Sequence, residues 1–167
     1  KEIESPVALH LVQGIARGDK MDFIIQKAVE LGVNKITPLL SQYCTVNIKA
    51  ERLDRKLEHW QGIVINACEQ CGRNQLPILM PPQSFQSWLK SVDEDIRLVL
   101  HPYDVETAAI TTQAKRIVAA IGPEGGFSEQ EIAQLVENNF SALRMGPRIL
   151  RAETATIAAL TLIQHHW

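Results

Sequence analysis

A chain of 167 residues, 46% hydrophobic and 22% charged, has the composition of one globular domain with a sizeable core, which excludes extended disorder. The longest apolar runs, such as residues 157–163, fall well short of the roughly 20 residues a membrane-spanning helix needs, and no signal-peptide pattern opens the chain, so a cytoplasmic protein is expected. A net charge of −2 excludes a domain-wide basic surface, so any RNA contact has to be local or supplied by a partner domain.

The chain starts at Lys1 rather than Met and enters an apolar run almost at once, which suggests a piece of a longer protein. In chain order, a strand-like run at 7–16 precedes a helical pattern at 20–31, and a run at 33–40 precedes a long one at 51–73. The alternation continues with strand 76–80 and helix 84–92, then strand 96–101 and a shorter helix at 108–114. It closes with strand 116–121 and helix 128–139, then strand 142–145 and helix 154–165. In the long helix Leu53, Leu57, Trp60, Val64, Ala67 and Cys71 step by alternating fours and threes, one buried stripe. The first helix sets Met21, Ile24, Ile25, Ala28 and Leu31 against a polar face of Lys20, Asp22, Gln26, Lys27 and Glu30. The last is apolar on more than one face, through Ile157, Ala158, Ala159, Leu160, Leu162 and Ile163, which fits either a subunit contact or a central helix in a monomer.

Strands that are apolar throughout, alternating with helices, predict an open, mainly parallel α/β sheet covered on both faces. Ligands of such sheets sit outside the carboxyl ends of the strands. Two loops fall there, Ile121-Gly-Pro-Glu-Gly-Gly-Phe-Ser128 and Met145-Gly-Pro-Arg-Ile-Leu-Arg-Ala-Glu-Thr-Ala155. Gly125 and Gly126 can take positive φ and bring backbone amides close to a ligand, and Ser128 with Glu131 reads as a capping box. Pro123 and Pro147 stiffen the two loops, and together they read as one cradle able to hold an adenine edge or a ribose through main-chain hydrogen bonds. Glu124 fits two roles, attraction of a cationic ligand or capping of its own loop.

Arg144, Arg148 and Arg151 crowd the second loop, and their planar donor forks suit a phosphate or a developing oxyanion. Glu153 follows, so Arg151 fits a structural ion pair as well. Asn66, Glu69, Gln70 and Arg73 share a polar stripe near the end of the long helix, facing either solvent or a substrate. His101 ends a strand beside the presumed cradle. Cys68-x-x-Cys71 lies inside a helical pattern with no second ligand pair, so core packing is expected rather than zinc or redox chemistry, and no metal is expected. No P-loop or spaced dinucleotide fingerprint is present.

Gly18-Asp-Lys-Met-Asp22, Gln26-Lys-Ala-Val-Glu-Leu-Gly32, Trp60, Glu69-Gln-Cys-Gly-Arg73 and the two loops together resemble the catalytic domain of the RsmE family, SPOUT-class methyltransferases acting on N3 of a uridine in bacterial 16S ribosomal RNA. The resemblance spans nearly the whole chain, so residues 1–167 read as one SPOUT domain. It implies a C-terminal trefoil knot, S-adenosylmethionine as cofactor, 16S ribosomal RNA or the small ribosomal subunit as partner, and a homodimer. It also implies an N-terminal β-barrel RNA-binding domain that this chain lacks. The cofactor wall is then expected from Leu100, His101, Ile121, Gly122, Pro123, Gly126, Met145, Gly146, Ile149 and Leu150. Arg151 or Arg73 is expected to stabilise charge on the uridine, with Glu69 or Glu153 as base, and Asn66, Gln70 and Arg148 to contact substrate. The competing readings are a non-catalytic RNA-binding or ribosome-assembly module on the same scaffold, and a different nucleotide-binding α/β enzyme using the loops for phosphate.

Overall fold

The computed structural model describes residues 2–102 and 115–166. Along them the chain forms β1 (Ala8–Gly14), α1 (Asp19–Glu30), β2 (Lys35–Leu40), α2 (Ala50–Cys71), β3 (Ile78–Leu79), β4 (Gln83–Ser84), α3 (Phe85–Ser91) and β5 (Ile96–Leu100). After residues 103–114 follow β6 (Arg116–Ile121), α4 (Glu129–Glu137), β7 (Ser141–Leu143) and α5 (Ala152–His166). The helix expected at 108–114 lies outside the described residues.

Among the described residues the strands form one sheet in the order β3-β2-β1-β6-β5-β7, with β4 also pairing β2. Every pairing is parallel, so the sheet is parallel throughout rather than mainly so. Both faces are covered, which is why the strands read as continuous apolar runs. Leu9 and Leu11 of β1, Ile36 of β2 and Ile117, Ala119 and Ile121 of β6 join one core with α1, α2 and α5. Their neighbours Val12, Leu39, Val118 and Ala120 face the other way, into a core with α3 and α4. Each side has a fully buried tryptophan at its centre, Trp60 on the first and Trp88 on the second.

Local signals in the sequence set the helix limits. The capping box at α4 is complete: Ser128 Oγ accepts from Glu131 N at 3.1 Å, and Ser128 N donates to Glu131 Oε1 at 2.9 Å. The second carboxylate oxygen of Glu131 accepts from Gln42 N at 3.1 Å, which ties the segment after β2 to the start of α4. Gly72 ends α2 in the left-handed region at φ 82°, where a side chain would be strained. At the amino end of the sheet the chain buries a polar contact instead. His10 donates through Nδ1 to Glu94 Oε1 at 2.6 Å, and Nε2 meets Thr37 Oγ1 at 2.7 Å. Burial pushes the Glu94 carboxyl up, but the hydrogen bond and charge of His10 outweigh it and hold that carboxyl at about 2.

Each helix returns against the direction of the strand before it. The starts of α1, α4 and α5 therefore sit at the carboxyl edge of the sheet, and the end of α2 sits at the amino edge, where Ile78 N donates to Asn34 O.

Candidate active site

β6, β5 and β7 lie side by side and end at the same edge, so the segments leaving them enclose one space. It is a cavity of about 260 Å³, near the lower end of the range typical of small-molecule sites. Leu100, His101 and Pro102 enter it after β5, residues 121–127 after β6, and Met145, Gly146, Arg148, Ile149 and Leu150 after β7, with Ala152 and Ala155 from the first turn of α5. All ten residues expected to form a cofactor wall line this one cavity.

The first loop is a tight turn closed by Gly126 N donating to Pro123 O at 2.8 Å. Gly126 has φ 73° and Gly146 has φ 85°, so each loop turns at a glycine that a side chain would strain. Gly125 differs from the expectation of positive φ. Its constraint is steric, since a Cβ there would lie 2.9 Å from Tyr43 Cβ. Glu124 is fastened to its surroundings: Oε1 accepts from Arg17 N at 2.8 Å, a tie to the segment after β1 rather than to its own loop. Apolar walls from Leu100, Ile121, Met145 and Leu150, with exposed main chain at the glycines, fit an adenine ring bound flat and held along its edge by backbone groups. Ile149, 80% exposed, stands at the rim.

Of the arginines, Arg148 lines the cavity, its side chain lying 3.5 Å from where a Cβ on Gly146 would be. Arg151 is exposed immediately before α5, and its carbonyl starts that helix by accepting from Ala155 N at 2.8 Å. No ion pair joins Arg151 to Glu153 among the described residues, so the structural pairing considered for them is not formed. Glu153 is half-buried, and its Oε2 is buried with no hydrogen-bond partner among the described residues.

The helical stripe goes elsewhere. Arg73 lies at the amino edge of the sheet, across the domain from the cavity. Its guanidinium is buried, with Nη2 2.6 Å from Glu4 Oε2, Nε donating to Glu4 Oε1 at 3.0 Å, and Nη1 donating to the carbonyls of Val29 and Val33 at 2.9 Å each. Each nitrogen of its fork is engaged, so the structure holds Arg73 in a buried ion pair and does not bring it to the cavity. Asn66, Glu69 and Gln70 occupy the last two turns of α2, are exposed, and line no part of the cavity. The structure therefore does not bring them to the site either.

Gly125, expected in the cradle, lines the cavity as well, and Pro102, Phe127, Ala152 and Ala155 complete the lining and escape the sequence reading. The signal for the two alanines is their small size one helical turn after a glycine loop. Cys44, Cys68 and Cys71 are free, and burial pushes the Cys44 and Cys68 thiols up, the opposite of what a nucleophile or metal ligand needs. Among the described residues no cluster of side chains fits a metal ion, and no helix is long and apolar enough to cross a membrane.

The model of a family described as the RNA methyltransferase domain matches residues 3–164. Ribosomal RNA small subunit methyltransferase E of Buchnera aphidicola (subsp. Schizaphis graminum) is 43% identical over 166 residues, covering 98% of this chain and 68% of that protein. Its Bacillus subtilis counterpart is 32% identical, covering 97% of this chain and 67% of its own length. Among solved structures, a ribosomal RNA small subunit methyltransferase E from Neisseria gonorrhoeae bound to S-adenosyl methionine superposes with a TM-score of 0.91 at 41% identity, covering 99% of this chain and 68% of that one. The chain thus spans about two thirds of the length of these relatives.

Proposed function

Because the chain belongs to the RNA methyltransferase domain family, among the ribosomal RNA small subunit methyltransferases E, we propose that it uses S-adenosylmethionine to methylate N3 of a uridine in 16S ribosomal RNA. The observation that carries this reading is the cavity at the carboxyl ends of β5, β6 and β7, with apolar walls and main chain at Gly122, Gly126 and Gly146. The relative from Neisseria gonorrhoeae, similar over nearly the whole chain, binds that cofactor.

When bound, the cofactor supplies an already activated methyl group. The protein's task is then alignment, exclusion of water and management of one proton. Leu100, Ile121, Met145, Leu150 and the glycine main chain would hold the cofactor. Uridine N3 is protonated at neutral pH, and loss of that proton spreads negative charge onto the flanking carbonyl oxygens. An arginine fork at the mouth matches that charge. Arg148, which lines the cavity, and Arg151, exposed immediately before α5, are the candidate arginines, and Glu153 is the remaining candidate base.

The reading extends to a cytoplasmic homodimer and to the family's trefoil knot. α5 buries Ala155, Thr156, Ala159, Leu160 and Ile163 in its own core and keeps Ile157, Ala158 and Leu162 partly exposed, which supports a second packed side.

Incubation with S-adenosylmethionine and undermethylated small ribosomal subunits should yield 3-methyluridine by nucleoside mass spectrometry. Arg148→Ala and Arg151→Ala should each slow single-turnover transfer by roughly a hundredfold, the usual cost of one lost charge-stabilising donor. Normal rates in both variants would remove the arginine assignment. Cofactor binding without any transfer would favour the assembly-module reading.

A further inference from the structure

β1 is apolar except at His10 and Gln13, and Gln13 is fully buried on the face that carries α5. A buried carboxamide is costly unless its oxygen and nitrogen are both matched. Here they are, by Gly14 and Gly122 on one side and by Thr156 of α5 on the other. Gln13 Nε2 donates to Gly14 O at 3.1 Å and reaches Gly122 O at 3.4 Å. Two carbonyls can only accept, so the amide orientation is fixed and Oε1 faces α5, where Thr156 Oγ1 donates to it at 2.6 Å. Thr156 is itself fully buried, and its hydroxyl also lies 3.0 Å from Ala152 O. Gly122 opens the first loop and lines the cavity, and Ala152 and Ala155 line it from the other side.

The main chain next to Gln13 adds to this brace. A Cβ on Gly14 would lie 2.4 Å from Pro123 N, so the end of β1 presses directly on the loop. Three residues on, Arg17 N donates to Glu124. Residues 13–17 therefore hold the loop after β6 from behind, and Gln13 is also hydrogen-bonded to the helix that follows the second loop.

We propose that Gln13 is a positioning residue for the cofactor, a buried brace that sets the separation of the two cofactor loops through Gly122 and Thr156. This rests on the reading of the cavity as an S-adenosylmethionine site. Gln13 touches no reacting atom, so its effect falls on cofactor affinity rather than on the chemical step.

The test compares Gln13→Met, Thr156→Val and Thr156→Ser with Phe140→Leu, a control in the opposite core against Trp88. Each is titrated with S-adenosylhomocysteine, melted, and assayed for methyl transfer. Gln13→Met should raise Kd and the KM for S-adenosylmethionine about tenfold with kcat at saturating cofactor nearly unchanged, as expected when hydrogen bonds that fix a binding wall are lost. Thr156→Ser should bind like the parent, Thr156→Val more weakly, and Phe140→Leu should lower Tm without moving Kd. Should Gln13→Met not fold, the Thr156 pair decides the matter alone. Parental Kd in Gln13→Met or Thr156→Val would overturn the brace, as would an equal loss of affinity in Phe140→Leu, which would reduce it to general stability. A parent that binds no cofactor overturns both this proposal and the site reading, whereas a binding parent with indifferent variants overturns only this one.

Discussion

Gly122→Ala is expected to lose S-adenosylhomocysteine affinity by at least about tenfold, roughly 1.4 kcal/mol. A Cβ at this position would lie 2.8 Å from the carbonyl carbon of Gly126 and 3.0 Å from both Gly126 Cα and Phe127 N. These are main-chain atoms on the far side of the turn, so no side chain can swing away to make room. Relief requires the turn to open, which stretches the bond from Gly126 N to Pro123 O and moves the surface that faces the cavity. Overpacking of this kind costs about 1–3 kcal/mol of stability as well. Calorimetric titration and a thermal melt measure the two effects. Unchanged affinity would mean that the ligand does not use this loop.

Arg73→Ala is expected to do the reverse: a large loss of stability with binding retained. Arg73 and Glu4 have side chains only 5% and 8% exposed, and removing the arginine leaves a buried carboxylate and two carbonyls without their donor. Breaking such a pair by deleting one partner costs about 3 kcal/mol or more. For a domain of this size that corresponds to a fall in Tm of about 10 °C. Below its melting point the variant should still bind S-adenosylhomocysteine as the parent does, because the cavity lies at the opposite edge of the sheet. A stable variant that fails in binding or transfer would return Arg73 to the candidate site.

Arg73 also shows what a sequence does and does not disclose about position. Spacing along α2 puts Asn66, Glu69 and Gln70 on one exposed stripe, but Arg73 lies past the helix end at Gly72 with its guanidinium buried, and sharing a face says nothing about which end of the sheet a stripe reaches. The direction of the helix does. A helix that follows a parallel strand must run back to the amino edge before the next strand can begin, so the last turn of α2 is placed far from any carboxyl-edge ligand. The partner that uses Arg73, Glu4, is 69 residues away and carries no local sign of its role.

Strands β1, β2, β5 and β6 were legible because both of their faces are buried, which leaves few polar residues in the runs. The sheet edge was not. Residues 76–80 contain a strand of only Ile78–Leu79, and β4, Gln83–Ser84, pairs through its main chain with no apolar signature. The cavity lining was legible for a different reason: glycine and proline directly after a strand mark where main chain turns toward a ligand. Gln13 was hidden because a single polar residue in an apolar strand reads as noise until its two carbonyl partners and Thr156 are seen around it.

The most direct test of the cavity is calorimetric titration of this chain with S-adenosylmethionine and S-adenosylhomocysteine, with ATP as control. Saturable binding of both at one site per chain, with none of ATP, is the predicted result. ATP binding, or no binding of either sulfur compound by the folded chain, would contradict it.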